Sequence, residues 1–168
     1  MSQIHSPVAD AWTPAHIQAV IDAYRDRPGA MLPMLHAIQD RFGFIPDDAV
    51  PMIADALRHT RAEVHGIISF YHHFRTHPAG RNVIQICRAE ACQSVGSRQL
   101  EAHARKALGI DYHQTTPDHE FTLEPVYCLG NCACGPSIRV NDDVFGRMTP
   151  EQFDELTDEL SATVVEVK

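Results

Sequence analysis

The sequence predicts an α/β protein in which a small helical bundle is followed by a compact α/β layer. Apolar residues recur at helical spacing through the first 77 of the 168 residues. The polar segment RTHPAGRN then interrupts this pattern with a proline and a glycine. Beyond it, short β-branched runs alternate with helical patterns, which is typical of α/β domains. We therefore expect one domain over residues 1–77 and a second over residues 78–168.

Four helices are predicted in the first domain. Thr13 is placed as an N-cap before the first helix, and Gly43 is a C-terminal glycine for the second. The third follows in the segment DDAVPMIADALRH. Thr60 and Glu63 have the spacing of a capping box at the start of the fourth helix. Short helices with short connections predict a small bundle.

The second domain has the predicted order strand, helix, strand, hairpin, helix. These elements correspond to the segments NVIQIC, SVGSRQLEAHARKALG, FTLEPVYC, SIRVNDDVFGRM and TPEQFDELTDEL. Glu101 and Arg105 have the i,i+4 spacing of an ion pair on the first of these helices. Thr149 and Gln152 form a capping box at the start of the last helix.

Charge and hydropathy exclude several classes of function. The formal net charge is −8, from 14 basic and 22 acidic residues, so a nucleic-acid partner is not expected. No apolar run is long enough to cross a bilayer, and the first residues, MSQIHSPVADAW, lack the features of a signal peptide. We expect a cytoplasmic protein without direct membrane insertion.

The chemistry of the chain centres on its five cysteines, which are Cys87, Cys92, Cys128, Cys132 and Cys134. In a reducing compartment, clustered cysteines are more often metal ligands or catalysts than disulfides. Cys87 and Cys128 each stand at the end of a predicted strand, and a second cysteine follows each within five residues. Because ligands bind beyond the carboxyl ends of strands in α/β folds, the two pairs predict a four-thiolate site built from two loops.

The loop lengths favour an iron–sulfur cluster over a single metal ion. Loops of four and three residues are longer than the C-x2-C turns of structural zinc sites, and they leave room for bridging sulfides. Gly130 and Gly135 allow backbone amides to approach sulfur. Two alternatives remain open at this point. One is a zinc-stabilised interaction module, and the other is a thiol-redox protein using Cys132 or Cys134.

Several segments resemble the thioredoxin-like [2Fe–2S] ferredoxin family, which includes the 24 kDa subunit of NADH:ubiquinone oxidoreductase. These segments are LPMLHAIQDRFGFIPDDAV, AEVHGIISFYHHF and CLGNCACGPSIRVND, together with the cysteine spacing. The resemblance covers nearly the whole chain. It implies a thioredoxin-like second domain and assigns one [2Fe–2S] cluster to Cys87, Cys92, Cys128 and Cys132. Cys134 is then a surplus thiol, interpreted as a small packing residue near the cluster, with a substitute ligand as the alternative.

The resemblance also implies a function. The chain would be an electron-transfer subunit without catalytic residues, held in a larger oxidoreductase beside a flavoprotein subunit that carries FMN and the NAD(H) site. The helical bundle would dock on that flavoprotein. We interpret Phe70, Tyr71 and Phe74 as core residues, with a partner contact as the alternative.

Two segments indicate a particular complex. CRAEACQSVGS and FYHHFRTHPAGR resemble the gamma subunit of soluble, molybdenum-containing, NAD-dependent formate dehydrogenases. Such an enzyme converts formate and NAD+ to CO2 and NADH, with its molybdenum cofactor in another subunit. The alternatives are the equivalent subunits of NADH:ubiquinone oxidoreductase and of NAD-reducing hydrogenase.

Overall fold

The structure is a computed structural model that describes residues 12–162. The chain divides into two compact units after Pro78, each with its own hydrophobic core. Residues 1–11, where no signal peptide is expected, lie outside the described range. No helix between residues 12 and 162 is long and apolar enough to cross a membrane.

The first unit contains the four predicted helices. Thr13 Oγ1 accepts the His16 N–H at 3.2 Å before the first, and Gly43 ends the second in a left-handed conformation. Thr60 and Glu63 form both bonds of the predicted capping box. The helices are α1 Pro14–Tyr24, α2 Met31–Phe42, α3 Ala49–Leu57 and α4 Arg61–Phe70.

The segment after α4 departs from the prediction. Phe74 is 8% exposed and belongs to the core, as predicted, but Phe70 is 74% exposed and Tyr71 44%. The core interpretation is therefore wrong for these two residues, because α4 ends at Phe70 and the chain turns there. The turn is held by the buried Gln39, whose amide donates to His73 O at 2.8 Å and accepts the Arg75 N–H at 2.7 Å.

The second unit is built on a five-stranded sheet in the order β2-β3-β1-β4-β5. β1 and β3 are parallel neighbours, and every other pairing is antiparallel. The predicted hairpin is observed as β4 and β5, whereas the two-residue strand β2 was not predicted. The strands are β1 Asn82–Cys87, β2 Gln114–Thr115, β3 Phe121–Val126, β4 Ile138–Val140 and β5 Asp143–Phe145.

Three helices complete this unit, namely α5 Glu90–Ser94, α6 Ser97–Leu108 and α7 Pro150–Ala162. The last is capped by Thr149 and Gln152 as predicted. Apolar residues of α6, α7 and the sheet share one core, which confirms the α/β class. The predicted pair of Glu101 with Arg105 is wrong, since Glu101 instead accepts a bond from Arg88 Nε at 3.0 Å.

Candidate metal centre

Parallel pairing brings the two cysteine-bearing strand ends to one edge of the sheet. Cys87, the last residue of β1, stands opposite Val126, the last residue of β3. The Arg88 N–H donates to Val126 O at 2.7 Å and carries the pairing one residue further. Cys128 follows two residues beyond the strand rather than ending it, which corrects the predicted boundary. Both loops therefore leave the sheet side by side.

The first loop holds a buried pair of thiols. Cys87 and Cys92 are each 1% exposed. Cys92 lies inside the short helix α5, where the sequence had predicted an irregular loop. Ser97 Oγ donates to Cys87 O at 2.5 Å and ties the start of α6 to the strand end. This loop is consequently anchored in the interior of the unit.

The second loop holds an exposed pair. Cys128 Sγ and Cys132 Sγ lie 3.6 Å apart, and Cys132 begins a short 3-10 helix, Cys132–Cys134. Cys128 has φ 137, a conformation that residues with side chains rarely adopt, and such strain clusters at functional sites. Gly130 has φ 75, and its N–H donates to Cys128 Sγ at 3.3 Å.

The electrostatic surroundings differ between the thiols. The pKa of Cys128 is lowered first by the hydrogen bond from the Gly130 N–H and second by the hydrogen bond from Cys132. The hydrogen bond between Cys128 and Cys132 raises the pKa of Cys132. The pKa of Cys92 is raised mainly by burial and secondly by a hydrogen bond with Cys87. The backbone N–H of Ser137 acts in the opposite direction and lowers it. Amides that lower a thiol pKa favour the thiolate, the form in which cysteine binds metals.

The two pairs also interact with each other. Cys87 contributes to the raised pKa of Cys132, and Cys132 contributes to that of Cys92, which indicates that the two pairs are near each other. Among residues 12–162, no three His, Cys, Asp or Glu side chains converge in the way that one metal ion requires. Two adjacent thiol pairs instead match the donor set of a two-iron cluster, which takes four thiolates, two on each iron. The residues present fit that group.

Cys134 is positioned differently from the other four. It is partly buried, and its carbonyl oxygen accepts the Arg147 N–H at 2.7 Å. A Cβ at Gly146 would lie 2.9 Å from the Cys134 Cβ, so that side of Cys134 is closely packed against the segment after β5.

Sequence reasoning did not single out the residues that hold the two loops in place. Ser97 and Ser137 are each 1% exposed and bond to the loops through hydroxyl and backbone groups. A buried serine has no periodic or spacing signal, so only the three-dimensional structure shows it. The Gly-Pro-Ser run after Cys134 was visible, but it indicates only a turn.

Together, the parallel strand pair and the two thiol pairs define an iron–sulfur protein built on a thioredoxin-like layer. The model of the thioredoxin-like [2Fe–2S] ferredoxin family matches residues 17–161. The chain belongs to this family, and its cofactor is a [2Fe–2S] cluster. The suspected resemblance, the thioredoxin-like fold and the cofactor prediction are thereby confirmed.

Relatives of known name are similar over most of their length. A subunit of the NADH-quinone oxidoreductase of Salmonella typhimurium is 38% identical over 133 residues, which cover 79% of this chain and 80% of that protein. The corresponding subunit of the Pseudomonas aeruginosa NADH-quinone oxidoreductase is 36% identical over 128 residues, covering 76% and 77%. Both matches are sufficient to place the chain in one family with them.

A solved structure supports the fold. An NAD+-reducing [NiFe]-hydrogenase in its air-oxidised state matches with a TM-score of 0.70 and 24% identity. The match covers 83% of this chain but only 24% of the hydrogenase chain. This likeness shows a shared fold.

Proposed function

We propose that the chain is an electron-transfer subunit whose [2Fe–2S] cluster is held by Cys87, Cys92, Cys128 and Cys132. The observation that carries the ligand set is the meeting of a buried and an exposed thiol pair beyond the ends of two parallel strands. A cluster held by these four cysteines would supply one-electron transfer between a donor and an acceptor. The chain binds the irons through thiolates and directs the Gly130 N–H at one sulfur.

Iron analysis with cysteine variants tests this ligand set. We expect about two irons and two acid-labile sulfides per anaerobically purified chain, with an EPR signal after reduction by dithionite. Cys87→Ser and Cys128→Ser should lose the cluster, whereas Cys134→Ser, the matched control, should keep it. A full cluster in either of the first two variants would overturn the assignment.

A thiol-redox function is the second candidate, because the exposed Cys128 and Cys132 are close together and the pKa of Cys128 is lowered. A dithiol enzyme would be active without iron. Disulfide reductase activity in iron-free protein, abolished by Cys128→Ser, would favour this candidate. If only the cluster-loaded protein is active, the thiol-redox candidate is excluded.

We propose that the helical unit docks on a flavoprotein subunit carrying FMN and the NAD(H) site. Phe70 and Tyr71 form an edge-to-face pair with ring centroids 5.0 Å apart, and both are exposed. Gly66 lies one helical turn before Phe70, and a Cβ there would meet nothing within 4 Å. Alanine would fit this helix position and stabilise it, so the glycine is explained better by close approach of a partner.

The parent complex is proposed to be an NAD-dependent oxidoreductase, with formate dehydrogenase favoured. The names of the relatives support the NAD-linked class, since they are NADH-quinone oxidoreductase subunits and an NAD+-reducing hydrogenase. The preference for formate dehydrogenase rests on the two segments described above. Purification of the native complex through a tag on this chain tests it, because NAD+ reduction by formate, NAD+ reduction by H2 and quinone reduction by NADH distinguish the three alternatives.

The cytoplasm is the proposed location. Five cysteines without a disulfide among the described residues agree with a reducing compartment. Fractionation of cells that produce the tagged chain tests this proposal, and recovery from a periplasmic extract would contradict it.

A further inference from the structure

Ser137 is a buried polar residue that the cysteine chemistry does not itself require. It stands directly before β4 and is 1% exposed. Its hydroxyl accepts the Asn131 Nδ2–H at 3.2 Å. The same oxygen lies 3.4 Å from Asn131 O and 3.3 Å from Cys134 O, so that its single proton is donated to one of these carbonyls. The side chain thereby closes the second cysteine loop on itself.

The backbone of Ser137 reaches the first loop. Its carbonyl accepts the Cys87 N–H at 3.0 Å. Its backbone N–H faces the first pair as well, because it acts to lower the pKa of Cys92, the buried partner of Cys87, against the larger effect of burial. One residue therefore bonds to Cys87 of the first pair and contacts Asn131 and Cys134, which lie on either side of Cys132, in the second loop.

We propose that Ser137 is a positioning residue that holds the two thiol pairs in register. The inference rests on the proposed ligand set. Among residues 12–162, no other residue bonds to one cysteine loop through its backbone and to the other through its side chain.

The physical basis is the fixed geometry of a buried hydrogen-bond network. Without the hydroxyl, the Asn131 amide loses its acceptor, and the second loop also loses the one hydrogen bond that the hydroxyl donates to Asn131 O or Cys134 O. The strand-like backbone of residue 137 can then shift relative to Cys92. Amide donors to the sulfurs stabilise the extra negative charge of the reduced cluster, so a weaker N–H···S bond lowers the reduction potential.

The test compares Ser137→Ala with Ser94→Ala in the full-length, cluster-loaded chain. Ser94 is the matched control because its hydroxyl also donates to a carbonyl, that of Ala91 at 2.8 Å, on the helix of Cys92, but it is exposed and makes no bond to the second loop. In Ser137→Ala we expect cluster loss to a chelator to be about threefold faster or more. We also expect a lower reduction potential and altered EPR g-values. Ser94→Ala should match the unmodified protein.

Equal chelation rates, potentials and g-values in Ser137→Ala and Ser94→Ala would overturn the proposal. If circular dichroism shows that Ser137→Ala does not fold, Asn131→Ala decides, since it removes one bond to the same hydroxyl at a partly exposed position. A smaller change in the same direction supports the proposal, and none overturns it. Absence of iron from the unmodified chain would instead refute the proposed function.

Discussion

At the scale of the residue, Gly146 shows how a position outside both cysteine loops controls the site. A Cβ there would lie 2.6 Å from Asn131 Nδ2 and 2.7 Å from Cys134 O. Cys134 O cannot give way easily, because it is a backbone atom that already accepts the Arg147 N–H. A side chain at position 146 would therefore push the second cysteine loop away from the segment after β5.

We predict that Gly146→Ala destabilises the second unit by about 1–3 kcal/mol, the usual cost of overpacking, and accelerates loss of iron. Gly80→Ala is the control, since its Cβ would meet the Phe121 backbone at 2.8 Å, at the opposite end of β3 from the cysteines. It should lower the thermal midpoint while leaving the cluster spectrum unchanged. Identical iron retention in the two variants would show that Gly146 has no particular effect on the site.

The contacts of some single residues could not be predicted from the sequence. Cys87 could be placed at the end of β1 because strand periodicity is encoded locally, whereas Cys128 lies two residues beyond the end of β3. The partner of Glu101 could not be predicted, since Arg88 is distant in sequence and the i,i+4 candidate Arg105 is held by Asp111 instead. The same applies to Ser137, whose contacts exist only after the two loops have met.

At the scale of the element, α4 combines a well-capped start with an exposed aromatic end. Its first turn is closed by the capping box of Thr60 and Glu63, and its last residue is Phe70. Periodicity predicted the helix but not its end, because Tyr71 and Phe74 continue the apolar pattern beyond it. The turn depends on Gln39, a residue of another helix, and no local pattern reports that contact.

Gly66→Ala should raise the stability of the chain and lower its affinity for the flavoprotein. In the isolated chain, we expect a gain in stability of about 0.5–1 kcal/mol, because alanine is the better helix former and its Cβ meets nothing. Affinity for the flavoprotein should nevertheless fall, as it should for Phe70→Ala. The measurements are thermal unfolding of the chain and co-purification of the tagged complex.

Ala102→Gly provides a comparison for these variants, since it removes a methyl group from an exposed position of α6, outside the proposed docking helix. It should lower stability and leave the complex intact. A complex that survives both Gly66→Ala and Phe70→Ala unchanged would contradict the docking proposal.

The capping box should make α4 sensitive to acid. Hydrogen bonds from the Thr60 backbone N–H and then from its hydroxyl lower the pKa of Glu63 below its usual value of 4.5. A group with a lowered pKa stabilises the folded state above its unfolded pKa, and this contribution is lost as the pH falls through the folded pKa. The relevant range therefore lies below pH 4.5.

Glu63→Gln keeps an acceptor for the cap but cannot titrate. We expect the thermal midpoint of the unmodified chain to fall more steeply than that of the variant between about pH 5 and pH 3. His59, whose Nδ1 lies 3.6 Å from Glu63 Oε2, is present in both proteins. Parallel midpoint curves for the two proteins would show that the cap does not depend on the charge of Glu63.

At the scale of the whole molecule, the acidic composition acts on the redox chemistry. Reduction adds one negative charge to a chain whose formal charge is already −8. We predict that raising the ionic strength from about 10 mM to about 500 mM raises the reduction potential, because salt screens this repulsion. The expected rise is on the order of tens of millivolts. Spectroelectrochemical titration at both salt concentrations measures it, and a constant or falling potential would contradict the prediction.

The class and order of elements could be predicted because both units follow simple periodic patterns. Helical spacing indicated α1 to α4, and β-branched runs indicated β1 and β3. The short elements α5 and β2 were missed, since five and two residues are too few to establish a period. The sequence predicted that the two cysteine loops lie at one edge of the sheet, but it did not predict that β1 and β3 are neighbours, because strand pairing depends on contacts between distant segments.

The pairing of β1 with β3 has a consequence for how the cysteine spacing can evolve. Hydrogen bonds between β1 and β3 hold Cys87 beside Val126, so an insertion in the first loop would leave the two strand ends side by side. The second loop is more constrained, since Ser137 and Gly146 contact it from two sides. Lineages that share this sheet should therefore diverge in the distance between their first two cysteines while retaining the length of the second interval. Searches for remote homologues should therefore allow any number of residues between the first two cysteines.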